Sequence, residues 1–376
     1  MQSKMERKSK GKVVVVVDGQ AGSSGKGKVC GYLASRDRFG IAINNWMSNA
    51  GHTWVGDYGT KVMTQHLPTS IVNRAIIPVI GPGAAITPEI LINEMRKYSD
   101  MIHQDVIIHP RAMIIQEKHR EEERIKIRSG STFKGCGAAQ AEKAMRIPNV
   151  QLLQDYIHEL PRDIRERIVM TDTGQLINCM IDIGINVLIE GSQGFDLDIN
   201  YGLDYPHTTS RQCHAGQLVA DCGISPMQVT DVIMIMRPYP IRISNETELG
   251  VNISSGDYNG SSEITWDTVK QRCGAPDGIN FGETTTVTKK LRRVFELNWD
   301  RLRYAAMINR PTQIVLNFAQ YIDWGVYGAT SLEQISTKVL DFILLVEKET
   351  GAPVTMIGTG PANSMMVDLR ASRGII

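Results

Sequence analysis

The chain has 376 residues, with 41 Lys and Arg against 40 Asp and Glu, a formal net charge of +1, 42% hydrophobic and 22% charged residues. These are the proportions of an ordinary globular protein, and a charge so near zero argues against nonspecific partners such as nucleic acid or anionic membrane. No apolar run approaches the roughly 20 residues of a membrane helix, Val13–Val17 is too short for a secretory core, and six cysteines without a C-x-x-C pair or zinc spacing suit a reducing, cytoplasmic compartment.

In chain order, residues 1–12 carry five basic residues and one acid without apolar periodicity, which reads as a solvated, disordered tail ahead of one domain over 13–376. Val13–Val17 has the length and β-branched content of a buried parallel strand, as do Val187–Ile189, Val232–Met236, Ile314–Leu316 and Val354–Ile357. Thr87-Pro88-Glu89 is a helix start, with Ile90, Leu91, Met95 and Tyr98 following at helical spacing. Glu117–Arg128 is expected as one exposed helix face. Ser331 and Gln334 predict a capping box ahead of a helix whose stripe is Val339, Leu340, Ile343 and Leu344. Ser244–Gly282 gives no assignable pattern. Strands alternating with helices predict an α/β fold: a single large domain with a central, mainly parallel sheet and helices on both faces.

Four apolar strands run straight into glycine-rich polar loops: GQAGSSGKGK after Val17, GSQG after Glu190, NFAQ after Leu316 and GTGP after Ile357. Open α/β sheets bind ligands at the carboxyl ends of their strands, so these loops describe a nucleotide-sized site. The first, Gly19 to Lys28, enters a helix through Val29 and Leu33. Its glycines admit an anion to backbone N–H groups at a helix N-terminus, and Lys26 and Lys28 add charge. It is not a Walker A loop, because Gln20 and Gly27 stand where that pattern needs Gly and Ser or Thr, and its G-x-x-G-x-x-G spacing is not a dinucleotide fingerprint.

With Asn49-Ala50-Gly51-His52-Thr53 the chain resembles adenylosuccinate synthetases, whose signatures read GDEGKGK and NAGHT. Matches continue in order through Gly130-Ser131-Thr132 with Arg146 beyond, Glu190-Gly-Ser-Gln193-Gly194, Thr285-Thr-Val-Thr288 leading to Arg292-Arg293, and Thr359-Gly360-Pro361. Two departures narrow the resemblance. Ser23-Ser24 replaces Asp-Glu, and Phe318-Ala319-Gln320 after Asn317 replaces the guanine-reading Lys-x-Asp. Both are similar to the virus-encoded 2-aminoadenylosuccinate synthetases, which join L-aspartate to C6 of dGMP at the expense of ATP.

The resemblance implies a fold related to P-loop nucleotide hydrolases, Mg²⁺ as cofactor, and a homodimer in which Arg146 reaches the neighbouring subunit's 5′-phosphate. It implies His52 as general acid at O6, with a protonated imidazole suited to that role, and Ser23, Lys26 and Gln193 beside it in catalysis. Asn49, Ser131, Thr132, Gln193, Thr209 and Lys290 would join Ser23 and Arg146 around dGMP. Gly25, Lys26, Gly27, Lys28, Gly51, His52, Thr53, Asn317, Gln320, Gly358, Gly360 and Pro361 would line the ATP or dATP side, and Ser23 and the Gly51 carbonyl would face the metal. Thr285, Thr286, Val287, Thr288, Lys290 and Arg292 would grip aspartate, Arg292 as a bidentate fork. Lys290 stands where the family has an arginine near the sugar, which fits a 2′-deoxy substrate. A serine at 23 would accommodate guanine's 2-amino group while giving up a strong base, leaving water, the incoming aspartate or Asp18 to take the N1 proton. Gln320, with both a donor and an acceptor, matches adenine. Two other readings fit parts of the pattern: an ordinary synthetase using IMP and GTP, and a non-catalytic nucleotide sensor.

Overall fold

The computed structural model describes residues 10–127, 131–248, 251–258, 260–279, 281–284 and 291–376. Its centre is a ten-stranded sheet. In chain order the strands are β1 Val13–Asp18, β2 Ile41–Asn44, β3 Ile77–Ile80, β4 Val106–Ile108, β5 Ile168–Met170, β6 Val187–Glu190, β7 Val229–Met236, β8 Gln313–Leu316, β9 Val354–Gly358 and β10 Met366–Asp368. In space they run β10-β9-β8-β7-β1-β6-β2-β3-β4-β5. Every pairing is parallel except the last, β9 with β10.

The five apolar runs are all strands of this sheet, and β1 explains why they were readable. Val13, Val15 and Val17 face one core cluster, while Val14 and Val16 face another, so no residue of β1 points to solvent. Helix α1 (Lys26–Arg36) supplies Val29, Cys30 and Leu33 to one side. Helices Trp299–Asn309 and Thr337–Thr350 supply Leu302, Ala305, Val339, Ile343 and Val346 to the other. Each such buried aliphatic side chain contributes roughly 1.5–3 kcal/mol, and the expected helices on both faces are present.

Some local expectations shift. Helix α2 (Pro88–Lys97) starts at Thr87 with Pro at its first position, but the Thr87 hydroxyl bonds to Ser48 Oγ instead of capping the helix. The Ser331–Gln334 box caps the 3₁₀ turn Leu332–Gln334; the following helix begins after Ser336. Leu344 is exposed and Val346 takes the buried position, because a helical stripe continues at the third and fourth residue after Ile343. In helix α3 (Glu117–Lys126) the charged face is mostly solvated, yet His119 and Glu123 turn inward. Glu123 accepts from the backbone N–H groups of Gly135 (2.8 Å) and Gly137 (2.7 Å), docking helix α4 (Cys136–Ala144). All six cysteines are free, Cys179 alone exposed. Among the described residues, no helix is long and apolar enough to cross a membrane.

From β1 the chain fills one half of the sheet through β5. It then returns to place β6 between β1 and β2 before building the other half from β7 outward. The carboxyl end of β1 is therefore where loops from both halves converge.

Candidate active site

The loop after β1 folds around a buried carboxylate. Asp18 accepts from the N–H groups of Gln20 (3.0 Å) and Ser24 (3.2 Å), from Ser24 Oγ (3.0 Å) and from Lys26 Nζ (3.0 Å). Lys26 also donates to the Gln193 carbonyl, which binds the loop after β6 to the glycine loop. Gly194 seals that junction: a Cβ there would lie 2.1 Å from the Gln20 carbonyl oxygen. Ser24 is thus the structural serine. Ser23, its neighbour, is exposed at φ 55, and its hydroxyl makes no hydrogen bond among the described residues. Gln193 also stands in the left-handed region, at φ 59.

The two lysines differ from the expectation of free charges aimed at phosphate. Lys28 is buried and donates to the Gly360 and Met365 carbonyls, stitching α1 to the loop after β9, and burial lowers its pKa to about 7. Gly27 is a packing glycine, since a Cβ would sit 2.7 Å from Thr53 N and 2.9 Å from His52 Cβ. Its absence of side chain lets α1 press against the hairpin His52–Val55/Lys61–Thr64.

That hairpin carries His52, which is buried, with its ring 4.1 Å from that of Trp46 and Nδ1 3.9 Å from Glu190 Oε2. Among the described residues Nδ1 has no hydrogen-bond partner. Burial holds the imidazole pKa below its usual value, with Glu190 opposing, so this environment favours the neutral ring over the protonated one expected. An anion next to the ring would move it back. Two buried carboxylates fix the segment behind it. Glu94 accepts from the N–H groups of Gln65, His66 and Leu67, and Glu190 from those of Thr69 (3.0 Å) and Ser70 (2.9 Å). Neither role has a signature in the local sequence, because every partner is distant along the chain.

The loop after β8 adds Asn317, whose Nδ2 donates to the Ser24 carbonyl (2.7 Å) between two glycines. A Cβ on Gly25 would lie 2.7 Å from that Nδ2, and one on Gly358 2.0 Å from Oδ1. Asn317 is therefore a tie between loops. Gln320 is buried, and among the described residues its Oε1 has no hydrogen-bond partner, an acceptor available to a ligand. The neighbouring Gly360 packs on Met365, and Pro361 is exposed.

Around the expected purine side, Asn49 Nδ2 lies 3.5 Å from Thr209 Oγ1, so these two meet. Ser131 Oγ accepts from Phe133 N, Thr132 is exposed, and Arg146 is exposed at φ 57 just beyond α4. Arg292 donates its N–H to the Glu283 carbonyl (2.8 Å), and its Nε lies 3.4 Å from the Thr284 carbonyl. Thr285, Thr286, Val287, Thr288 and Lys290, with Gly130, lie outside the described residues. Sequence reasoning missed Arg237. A lone arginine closing the apolar strand β7 was the available signal, and the structure buries it completely among three loops.

Among the described residues no cluster of three or more His, Cys, Asp or Glu could hold a metal by itself, and Asp18 is already saturated by four donors. The oxygen of Ser23 and the Gly51 carbonyl are hard donors in an open setting, since a Cβ on Gly51 would meet nothing closer than 3.8 Å. That donor set fits Mg²⁺ carried mainly by nucleotide phosphates.

A family model described as adenylosuccinate synthetase matches residues 15–155 and 147–325. The chain belongs to the adenylosuccinate synthetase family. It is a ligase of the adenylosuccinate synthetase type, and the expected fold holds. An adenylosuccinate synthetase of Methanocaldococcus jannaschii is 32% identical over 95% of this chain and 96% of its own. An N6-succino-2-amino-2′-deoxyadenylate synthase of Salmonella phage PMBT28 is 34% identical over 83% of this chain and 86% of its own. Among solved structures, the cyanophage S-2L succinoaminodeoxyadenylate synthetase (PurZ), bound to dGMP and dATP as an energy donor, matches with a TM-score of 0.81. It is 29% identical, covering 97% of this chain and 98% of that one.

Proposed function

We propose that this family member joins L-aspartate to C6 of dGMP at the expense of ATP or dATP, giving 2-amino-2′-deoxy-N6-succinyladenylate, a nucleoside diphosphate and phosphate. The γ-phosphoryl group leaves the nucleoside diphosphate and bonds to O6 as the N1 proton passes to water. The aspartate amine then forms its bond to C6 as phosphate departs, and the amine gives up its proton to solvent. The observation that carries the reading is Ser23: a free, exposed hydroxyl at a loop tip where family members using IMP have a carboxylate. The small hydroxyl leaves room for guanine's 2-amino group beside N1 and can accept from it, whereas the bulkier carboxylate would crowd that group. Relatives and a structural neighbour whose names give succinoaminodeoxyadenylate synthesis support the same substrate.

Asp18 is an unsuitable proton acceptor because four donors already occupy its oxygens. His52 would face O6, with the transferred phosphoryl charge favouring its protonated form. Asn49, Thr132, Gln193 and Thr209 would orient the nucleotide, and Arg146 from a second subunit would meet its 5′-phosphate. Arg292, with Thr285 to Thr288 and Lys290, would hold aspartate. Bound Mg²⁺, held by phosphates with Ser23 and Gly51, would neutralise charge on the triphosphate. The open acceptor of Gln320 suits the 6-amino group of adenine. The archaeal relative, with a comparable identity, favours the second reading, IMP with GTP. The test offers dGMP or IMP with aspartate, Mg²⁺ and ATP or GTP, and follows the succino-nucleotide. Product from dGMP with ATP is expected, and product from IMP alone would overturn the reading.

A further inference from the structure

Arg237 follows the last residue of β7 and is fully buried. Its backbone N–H donates to Gln20 Oε1 and its carbonyl accepts from Gln20 Nε2, both at 2.9 Å. The guanidinium then reaches three further segments. Nε donates to the Tyr239 carbonyl (2.7 Å), and Nη1 donates to the Ser23 carbonyl (3.1 Å) and to Glu283 Oε2 (3.0 Å). Nη2 completes a bidentate pair with Glu283 Oε1. The planar face lies 4.1 Å from the centre of the Phe318 ring. A buried charge is tolerated only when its donors are satisfied, and only an arginine fork can serve this many directions from one plane.

Those partners divide in a telling way. Ser23 is the residue assigned above to the purine base, and Phe318 precedes Gln320 in the loop assigned to the second nucleotide. Glu283 belongs to the segment whose carbonyl receives the Arg292 N–H and whose next residue, Thr284, bridges to Leu291. We propose that Arg237 is a positioning residue that ties the aspartate-holding segment to the backbone of Ser23, so that each is held in register with the other. Ser23 has no glycine freedom at φ 55, and a hydrogen bond on its carbonyl holds the backbone from which its hydroxyl is presented. Both parts rest on the reading proposed above: the purine part on its choice of dGMP, and the aspartate part only on the segment it assigns to aspartate, whichever purine is used.

The test uses the full-length enzyme with Arg237→Lys and Glu283→Gln, each checked for folding by thermal melting. Steady-state rates give the KM for aspartate, kcat, and the ratio of kcat/KM for dGMP to that for IMP. In both variants aspartate KM is expected to rise about tenfold, the scale of one hydrogen bond to a charged group. The dGMP-to-IMP ratio is expected to fall by a similar factor. If Arg237→Lys does not fold, Glu283→Gln carries both readouts, because it leaves the stack on Phe318 intact. A fall in kcat alone, with KM and the ratio unmoved, is the signature of a merely structural arginine and overturns the proposal. Movement of aspartate KM without the ratio overturns the link to Ser23. A wild-type enzyme using IMP alone would defeat the proposed function, while aspartate KM with IMP would still decide whether Arg237 supports the aspartate segment.

Discussion

Serine 23 and glutamine 320 each present a polar group that the fold leaves unspent, and each makes a substitution informative. Replacing Ser23 by Asp restores a carboxylate at a loop tip with room for it, since the residue is exposed. Discrimination built on paired donors collapses by ~10²- to 10⁴-fold when the pairing is lost. Ser23→Asp is therefore expected to lower kcat/KM for dGMP on that scale while IMP turnover appears, measured with both purines at fixed ATP. Gln320→Asp removes the donor and leaves acceptors only, so preference for GTP over ATP should rise by roughly 10- to 100-fold, read from competition between the two triphosphates. Both residues were legible in the sequence because they sit in motifs of contiguous residues. Arg237, Glu94 and Glu190 were not legible as clamps, because a buried charge reveals its purpose only through partners that folding brings near. The environment of His52 was likewise hidden. The motif names the residue, but its protonation depends on Trp46 and Glu190 packed around it.

The hairpin bearing His52 depends on elements packed against it on two sides. On one, Gly27→Ala would drive a methyl group into the Thr53 backbone. The helix and hairpin must separate, at a cost of about 1–3 kcal/mol, and kcat should fall with the displaced histidine. Thermal melting and turnover together check this. On the other, His66 is buried with Nε2 accepting the Thr87 N–H (3.0 Å), and burial lowers its pKa to about 3. The folded protein therefore resists a proton that the unfolded chain takes up near pH 6.5, and stability is lost as pH falls from there towards 3. His66→Gln can keep the acceptor without the titration. The gap in melting temperature between wild type and variant should shift in the variant's favour as the pH drops through that window. The opposing titration of Glu94, raised to about 7 by burial, is common to both proteins. At this scale the sheet was half legible. β1, β6, β7, β8 and β9 announce themselves as apolar runs because both of their faces are covered. β3 does not, since Pro78 argues against an interior strand, yet β3 lies between β2 and β4. The three-residue strands β4, β5 and β10 carry too little pattern to be distinguished from a loop.

For the whole molecule, the sheet order puts a junction between two halves at β1, and the proposed homodimer adds a third contributor in Arg146. This residue is exposed between the exposed side chains of Met145 and Ile147, an apolar setting suited to a subunit contact. Arg146→Ala and His52→Ala should each be nearly inactive, and mixing the two after dissociation should regain part of the activity through hybrid dimers. Persistently additive inactivity in that mixture would count against shared sites. Ser23, Gln193 and Phe318, one on each loop leaving β1, β6 and β8, all adopt a left-handed conformation without being glycine. Each such residue sacrifices stability. Selection of this enzyme for heat tolerance alone should accumulate glycines at 23 and 193, where no ring packing is lost as it would be at Phe318, yielding a sturdier protein that has forgotten its substrate.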